Sequence, residues 1–326
     1  MKSDYYYEWQ HNREEITCDY SHRTEEMEFF INYWLDSVNK EYHEIQKRYF
    51  EIAEDRGEIY AKMRELFKDK LVIPFADFSV NMVCTLKCQD CSIGLPFVEE
   101  KYINNSSELI GQINTIFKYI DYIHIISPFG GEPFLNKDLD VFLLYLKKMQ
   151  EEGKIGYIRL VTNGTLIPSE KVINSLRGDK VFVLISNYET IFDEKALTKR
   201  NALESIFADN KINYYLMPPE FEWISMGDVS TIKSNETEVL ETYMTCSFKN
   251  CFGIYNGKLY RCGRQYACES VNEISTNSIS FDKISSKEEM RQILKDLYSS
   301  PILEACQYCN PVRLRTKVEP AIQIVE

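Results

Sequence analysis

Three of the chain's ten cysteines fall within eight positions, in "CTLKCQDC" at residues 84–91. Cys84, Cys88 and Cys91 follow a strand-like run, so one short loop can present all three thiols to a single point. A disulfide needs two thiols, and a structural zinc site is closed by four ligands. A cubane [4Fe–4S] cluster is normally held by four thiolates, one for each iron. Three thiolates leave one iron without a protein ligand, open to a small molecule.

A second group of thiols lies far along the chain. In "CFGIYNGKLYRC", residues 251–262, two β-rich runs flank Asn256-Gly257, a dipeptide suited to a type I′ turn. That turn brings Cys251 and Cys262 together at the open end of a hairpin. With Cys306 and Cys309 of "CQYC" they make a four-thiolate set. Cys246 competes for the place of Cys251, which the turn geometry favours. A hairpin with a C-x2-C is also a zinc pattern. Cys18, Cys268 and the spare member of the Cys246/Cys251 pair remain. Buried free thiols are the ordinary explanation; the alternative is a hydrogen-atom donor to a substrate radical, with Cys268 and Cys246 as candidates.

The elements that must hold these groups show in the hydrophobic pattern. From residue 72 to 225, strand-like runs "FADFSVNMV", "YIHIISPF", "YIRLVTN", "VFVLISN" and "INYYLM" alternate with helix-like segments near 106–119, 137–152, 169–176 and 194–208. That alternation predicts βαβ units and a parallel sheet, whose chemistry gathers beyond the carboxyl ends of the strands. Those ends carry "CTLKCQDC", "PFGGEP", "TNGT" and "SNYE". Before this core, Phe30, Trp34, Val38, Tyr42, Ile45, Tyr49 and Ile52 recur at helical spacing. They predict a helical extension over residues 1–71, packed on the core or serving as an arm or lid. After it, residues 226–326 lose the alternation and carry the second cysteine group.

The 326-residue chain is 44% hydrophobic, enough for a substantial core. Its formal charge of −12 argues against nucleic acid as principal partner. Residues 1–70 hold 17 acidic and 11 basic side chains, and so half of that excess, which leaves the rest only mildly acidic. Neither a signal peptide nor a run of about 18 apolar residues is present, so the expected location is cytoplasmic, with no membrane contact. In a reducing compartment the cysteines read as metal ligands before disulfides.

Cys84-x3-Cys88-x2-Cys91 after a strand resembles the signature of the radical S-adenosylmethionine (SAM) enzymes, and "FGGEPF" at 129–134 resembles their Gly-Gly-Glu motif. The resemblance spans roughly residues 75–315. It implies a partial (β/α)6 TIM-like barrel whose open iron chelates the methionine moiety of SAM. Reductive cleavage of SAM then yields a 5′-deoxyadenosyl radical that abstracts hydrogen from substrate. It also implies a flavodoxin- or ferredoxin-type electron donor.

Residue by residue, the resemblance implies close backbone approach at Gly130 and Gly131 and an acceptor for the SAM ammonium at Glu132. Ser186 and Asn187 of "ISNYE" become SAM contacts. Asn163 becomes a ribose or substrate contact, or simply an Asn-Gly turn. Lys195 or Arg200 could pair with the SAM carboxylate, solvated helix charges being the commoner explanation. Asp90 departs from the family, which often has an aromatic residue before the third cysteine. The hairpin and distant C-x2-C resemble the twitch domain, a shortened SPASM domain that holds one auxiliary [4Fe–4S] cluster.

The expected substrate is a small polyol (a sugar, nucleotide-sugar or aminocyclitol), oxidised or epimerised. "LISNYE" and "FEWISMGDV" resemble radical SAM proteins of polysaccharide biosynthesis. The alternative is a peptide side chain, modified by a maturase.

Overall fold

The computed structural model describes residues 70–217, 221, 223–235, 238, 239, 242, 246, 252–272, 274, 278–299 and 304–324. The expected N-terminal helices, Cys18 and Cys251 lie outside these residues.

The alternating pattern folds as its period dictates. Strand β1 (Val72–Ser79) leads to helix α1 (Ser106–Ile116), then β2 (Tyr122–Phe129), α2 (Leu139–Glu151), β3 (Ile155–Thr162), α3 (Glu170–Ser175), β4 (Val181–Ile185), α4 (Glu194–Asp209) and β5 (Asn213–Leu216). Each strand pairs parallel with the next, in chain order. Helix starts are fixed by polar caps. Asn105 and Glu108 form a reciprocal capping box, Ser169 caps Val172 N–H, and Asp193 caps Ala196 N–H.

The strands' period of two separates two environments. Ala76, Phe78 and Val80 join the core beneath the helices, where Phe78 packs on Phe142 of α2 with ring centroids 5.2 Å apart. Phe75, Asp77 and Ser79 therefore face the opposite side of β1.

The C-terminal residues enlarge the same sheet. A short β6 (Trp223–Ile224) precedes the hairpin β7 (Phe252–Tyr255) and β8 (Lys258–Tyr260), followed by α5 (Gly263–Asn272), β9 (Ile279–Ser280), α6 (Lys287–Ser299) and β10 (Lys317–Val318). Asn256 and Gly257 both take positive φ, 45° and 73°, as a type I′ turn requires. Strand β7 pairs parallel with β1, giving the order β5-β4-β3-β2-β1-β7-β8-β9. Six strands thus run parallel, the sixth added beside β1 instead of after β5. Among the described residues no helix is long and apolar enough to cross a membrane.

Candidate active site

The cysteine loop leaves β1 and is pressed against the turn that leaves β2. Asn81 donates through Nδ2 to the carbonyl of Glu132 at 2.9 Å, and its Oδ1 accepts from Val83 N–H at 3.1 Å. Glu132 N–H donates to the Val83 carbonyl at 2.9 Å. The two glycines make this approach possible. A Cβ at Gly130 would stand 2.0 Å from the Asn81 carbonyl oxygen. One at Gly131 would stand 2.1 Å from that of Val83 and 2.7 Å from the Cys84 Cβ. The backbone that comes close to these glycines is that of the cysteine loop.

Glu132 is 0% exposed, and both carboxylate oxygens are engaged. Oε1 accepts from Phe134 N–H at 3.1 Å and from the Thr162 hydroxyl at 2.9 Å; Oε2 accepts from Asn163 N–H at 2.8 Å. The side chain is a latch between the ends of β2 and β3. Asn163 carries the latch onward, donating to Cys84 Sγ at 3.5 Å and Thr85 Oγ1 at 3.0 Å, and accepting from Thr165.

Burial pushes the Glu132 carboxyl up to about 7 from an ordinary 4.5, against the pull of its three donors. Between those values the folded protein holds a proton that the unfolded chain has released. This group's contribution to stability therefore falls as pH rises through that window, by about 3 kcal/mol at most, and is flat above it. Glu132→Gln should lack this component. Melting temperatures of variant and wild type should differ in slope between about pH 4.5 and about pH 7; parallel curves would contradict the assignment.

At the end of β4, Ser186 and Asn187 are buried, and Ser186 N–H donates to the Thr162 carbonyl at 2.9 Å. Asn187 Oδ1 accepts from Arg200 Nη1 at 3.1 Å. Arg200 is not a solvated helix charge: it is buried and paired with Glu189 and Glu204. Tyr188 was not singled out by its sequence, yet it is hydrogen-bonded to Ser186 and senses Cys88, Cys91 and Cys84; burial raises its pKa well above the ordinary value. Its ring lies 5.5 Å from Trp223 and 5.8 Å from Phe192. Asp90 hydrogen-bonds the Ser225 hydroxyl, tying the loop to the residue after β6.

The three loop thiols are mutual neighbours. Burial pushes Cys88 up to about 12, with Cys91 and Cys84 adding to the rise, and burial likewise raises Cys84. Buried thiols of this kind become thiolates when a metal supplies the positive charge. Residues near the end of the described chain cross the loop. Ile324 N–H donates to the Lys87 carbonyl at 2.8 Å, Gln89 N–H to that of Ile322 at 2.7 Å, and Gln323 Nε2 to Cys88 Sγ at 3.7 Å.

In the second set, burial pushes the Cys262 thiol up to about 12, with Cys246 and Cys309 as further causes. Cys306 is one turn before Cys309, whose N–H donates to its carbonyl at 3.3 Å. Cys268 is 0% exposed on α5, beside Cys309 and Cys262, with its Sγ 3.9 Å from the Ala305 carbonyl.

Arg264 tests whether these thiols suit a metal cluster. The side chain is 2% exposed, its Nε–H has no acceptor, and among the described residues no carboxylate forms an ion pair with it. Burial opposes its charge, and the sulfurs of Cys309, Cys268 and Cys262 hold that charge in place. Four backbone carbonyls accept from the guanidinium; thiolates bound to a metal would add negative charge beside it, which suits the donor set to a cluster.

Comparisons with known proteins were made at three levels. No family model matches the chain, and no curated protein matches it. Several of the solved structures similar to it contain bound AdoMet or S-adenosylmethionine. BtrN in complex with AdoMet and 2-DOIA is 16% identical over 78% of this chain and 100% of its own, with a TM-score of 0.44. SuiB of Streptococcus suis is 14% identical over 83% and 82%, at 0.39. The anSMEcpe structure with bound AdoMet is 22% identical over 44% of this chain, at 0.35. The present chain covers 42% of the length of that protein.

Proposed function

We propose that the chain is a radical SAM oxidoreductase that oxidises a carbinol carbon of a small polyol. The observation that carries this reading is the convergence of Cys84, Cys88 and Cys91 with the Glu132–Asn163 latch, Ser186 and Tyr188 at the ends of β1 to β4. When bound, a [4Fe–4S] cluster on the three cysteines would supply the electron that cleaves SAM, and an auxiliary cluster would accept one from substrate. Cys246, Cys262, Cys306 and Cys309 are the proposed auxiliary ligands.

The chain's own residues suit a hydroxylated substrate. On the face of the sheet away from the helices, Asp77 of β1, Ser127 of β2 and Arg159 of β3 meet. Arg159 Nη2 is 3.3 Å from both Asp77 Oδ1 and Ser127 Oγ, and its guanidinium lies 4.4 Å from the Phe75 ring centroid. This acceptor, hydroxyl and cation lie among aromatic rings, an arrangement that orients polyol hydroxyl groups by hydrogen bonding. Tyr188 and Trp223 form an apolar wall near the cysteine loop and help exclude water. Sequence reading passed over Asp77 and Arg159, because each is one polar residue in a hydrophobic run.

The test is anaerobic incubation of cluster-loaded protein with SAM and reductant, measuring 5′-deoxyadenosine against panels of polyols and peptides. A polyol should raise the yield about tenfold or more over protein alone; a response confined to peptides would contradict the substrate class. Cys268→Ala should leave that yield and both iron sites unchanged, because its thiol is enclosed beside the auxiliary set. Loss of turnover with iron intact would instead make Cys268 a hydrogen donor and favour epimerisation.

A further inference from the structure

The two thiol sets are joined through one side chain. Arg264 follows Cys262 by two residues and opens α5. Its Nη1 donates to the carbonyls of Ser92 at 3.1 Å and Cys91 at 3.4 Å, both on the first cysteine loop. Its Nη2 donates to the carbonyls of Gly227 at 2.7 Å and Met226 at 3.4 Å. That segment begins at Ser225, the residue that holds Asp90. Asn310, the residue after Cys309, donates its N–H to the same Met226 carbonyl at 3.0 Å, so the turn of the second set and the guanidinium grip one segment. A planar guanidinium with five donors can engage several partners at once; a lysine ammonium has no such fixed fork.

We propose that Arg264 is a positioning residue that makes the geometry of the SAM-binding loop depend on the auxiliary cluster. The inference rests on the two-cluster reading above. An auxiliary cluster would anchor Cys262 and the Cys306–Cys309 turn on either side of the guanidinium, and the guanidinium fixes the carbonyls of Cys91 and Ser92. Remove either, and the third cysteine of the loop loses its brace. Coupling of this kind is a free energy shared between two sites, and a double-mutant cycle measures it.

The experiment compares four anaerobically reconstituted full-length proteins: wild type, Arg264→Lys, Cys306→Ala/Cys309→Ala, and the combination. Iron content and SAM affinity are measured for each. The cysteine pair variant should lose the auxiliary iron, keep the iron of Cys84, Cys88 and Cys91, and bind SAM about tenfold more weakly. Arg264→Lys, which keeps the charge but not the fork, should keep both iron sites and weaken SAM binding to a similar extent. The combination should be no weaker than either. Multiplying effects would overturn the coupling while leaving two clusters intact. Full iron retention in the cysteine pair variant would overturn the auxiliary cluster itself, and the coupling with it.

Discussion

Cys88→Ala should abolish SAM cleavage and leave the iron of the second thiol set in place. Cys84, Cys88 and Cys91 are close enough for each charge to be felt by the others, and burial holds Cys88 protonated unless a metal is bound. Removing one of three ligands leaves a cube attached at two corners, and a partly held cluster is readily lost. The second set lies on the β8–α5 corner and the Cys306–Cys309 turn, elements that take nothing from Cys88. The expected outcome is loss of about half the iron and sulfide, with 5′-deoxyadenosine falling to the level of a blank without enzyme. Iron measured per chain, together with chromatography of the SAM products, checks both parts. Loss of all iron would mean that the two sets do not assemble independently.

Gly131→Ala should be nearly as damaging, although it removes no ligand. The new methyl would meet the Val83 carbonyl at 2.1 Å and the Cys84 Cβ at 2.7 Å. Both belong to backbone or to a side chain rooted at a cluster ligand, so neither can swing aside as the end of a long side chain would. Overpacking of this sort costs about 1–3 kcal/mol when the surroundings relax. Here relaxation moves Cys84 away from Cys88 and Cys91. It also strains the hydrogen bond from Glu132 N–H to Val83 O, the first link of the latch that reaches Asn163. The variant should fold with wild-type far-ultraviolet circular dichroism, keep the auxiliary iron, and lose most of the SAM-binding iron. Full iron with normal SAM binding would show that the loop tolerates the displacement and that the close approach is incidental.

Much of the core was legible because its pattern is local. The apolar runs from 72 to 217 alternate with amphipathic segments, and each became the element that its period predicts. The Asn256-Gly257 turn was equally legible, since Asn-Gly readily takes the positive φ at both positions that a type I′ hairpin turn requires. The pairing of β7 with β1 was not, because a parallel contact across some 170 residues leaves no mark in either strand's own sequence. In the site, the cysteine triad and the Gly-Gly-Glu turn stand out by residue type. Their mutual packing does not: the glycines suggest a close backbone approach, and only the fold shows that what they admit is the cysteine loop.

Arg264 was illegible for a different reason. In "RCGRQY" it looks like one more solvated charge, and only the fold shows it buried, donating to the carbonyls of the first cysteine loop. The turn argument favours Cys251 over Cys246, and Cys251 lies outside the described residues.

The central claim is an iron with no protein ligand, reserved for SAM, on the cube held by Cys84, Cys88 and Cys91. Electron paramagnetic resonance of the anaerobically reduced protein, recorded with and without SAM, tests it most directly. Two reduced-cluster signals are expected in wild type, one of which changes shape on addition of SAM and is missing from Cys88→Ala. Zinc in place of iron at the triad, or cluster signals indifferent to SAM, would contradict it.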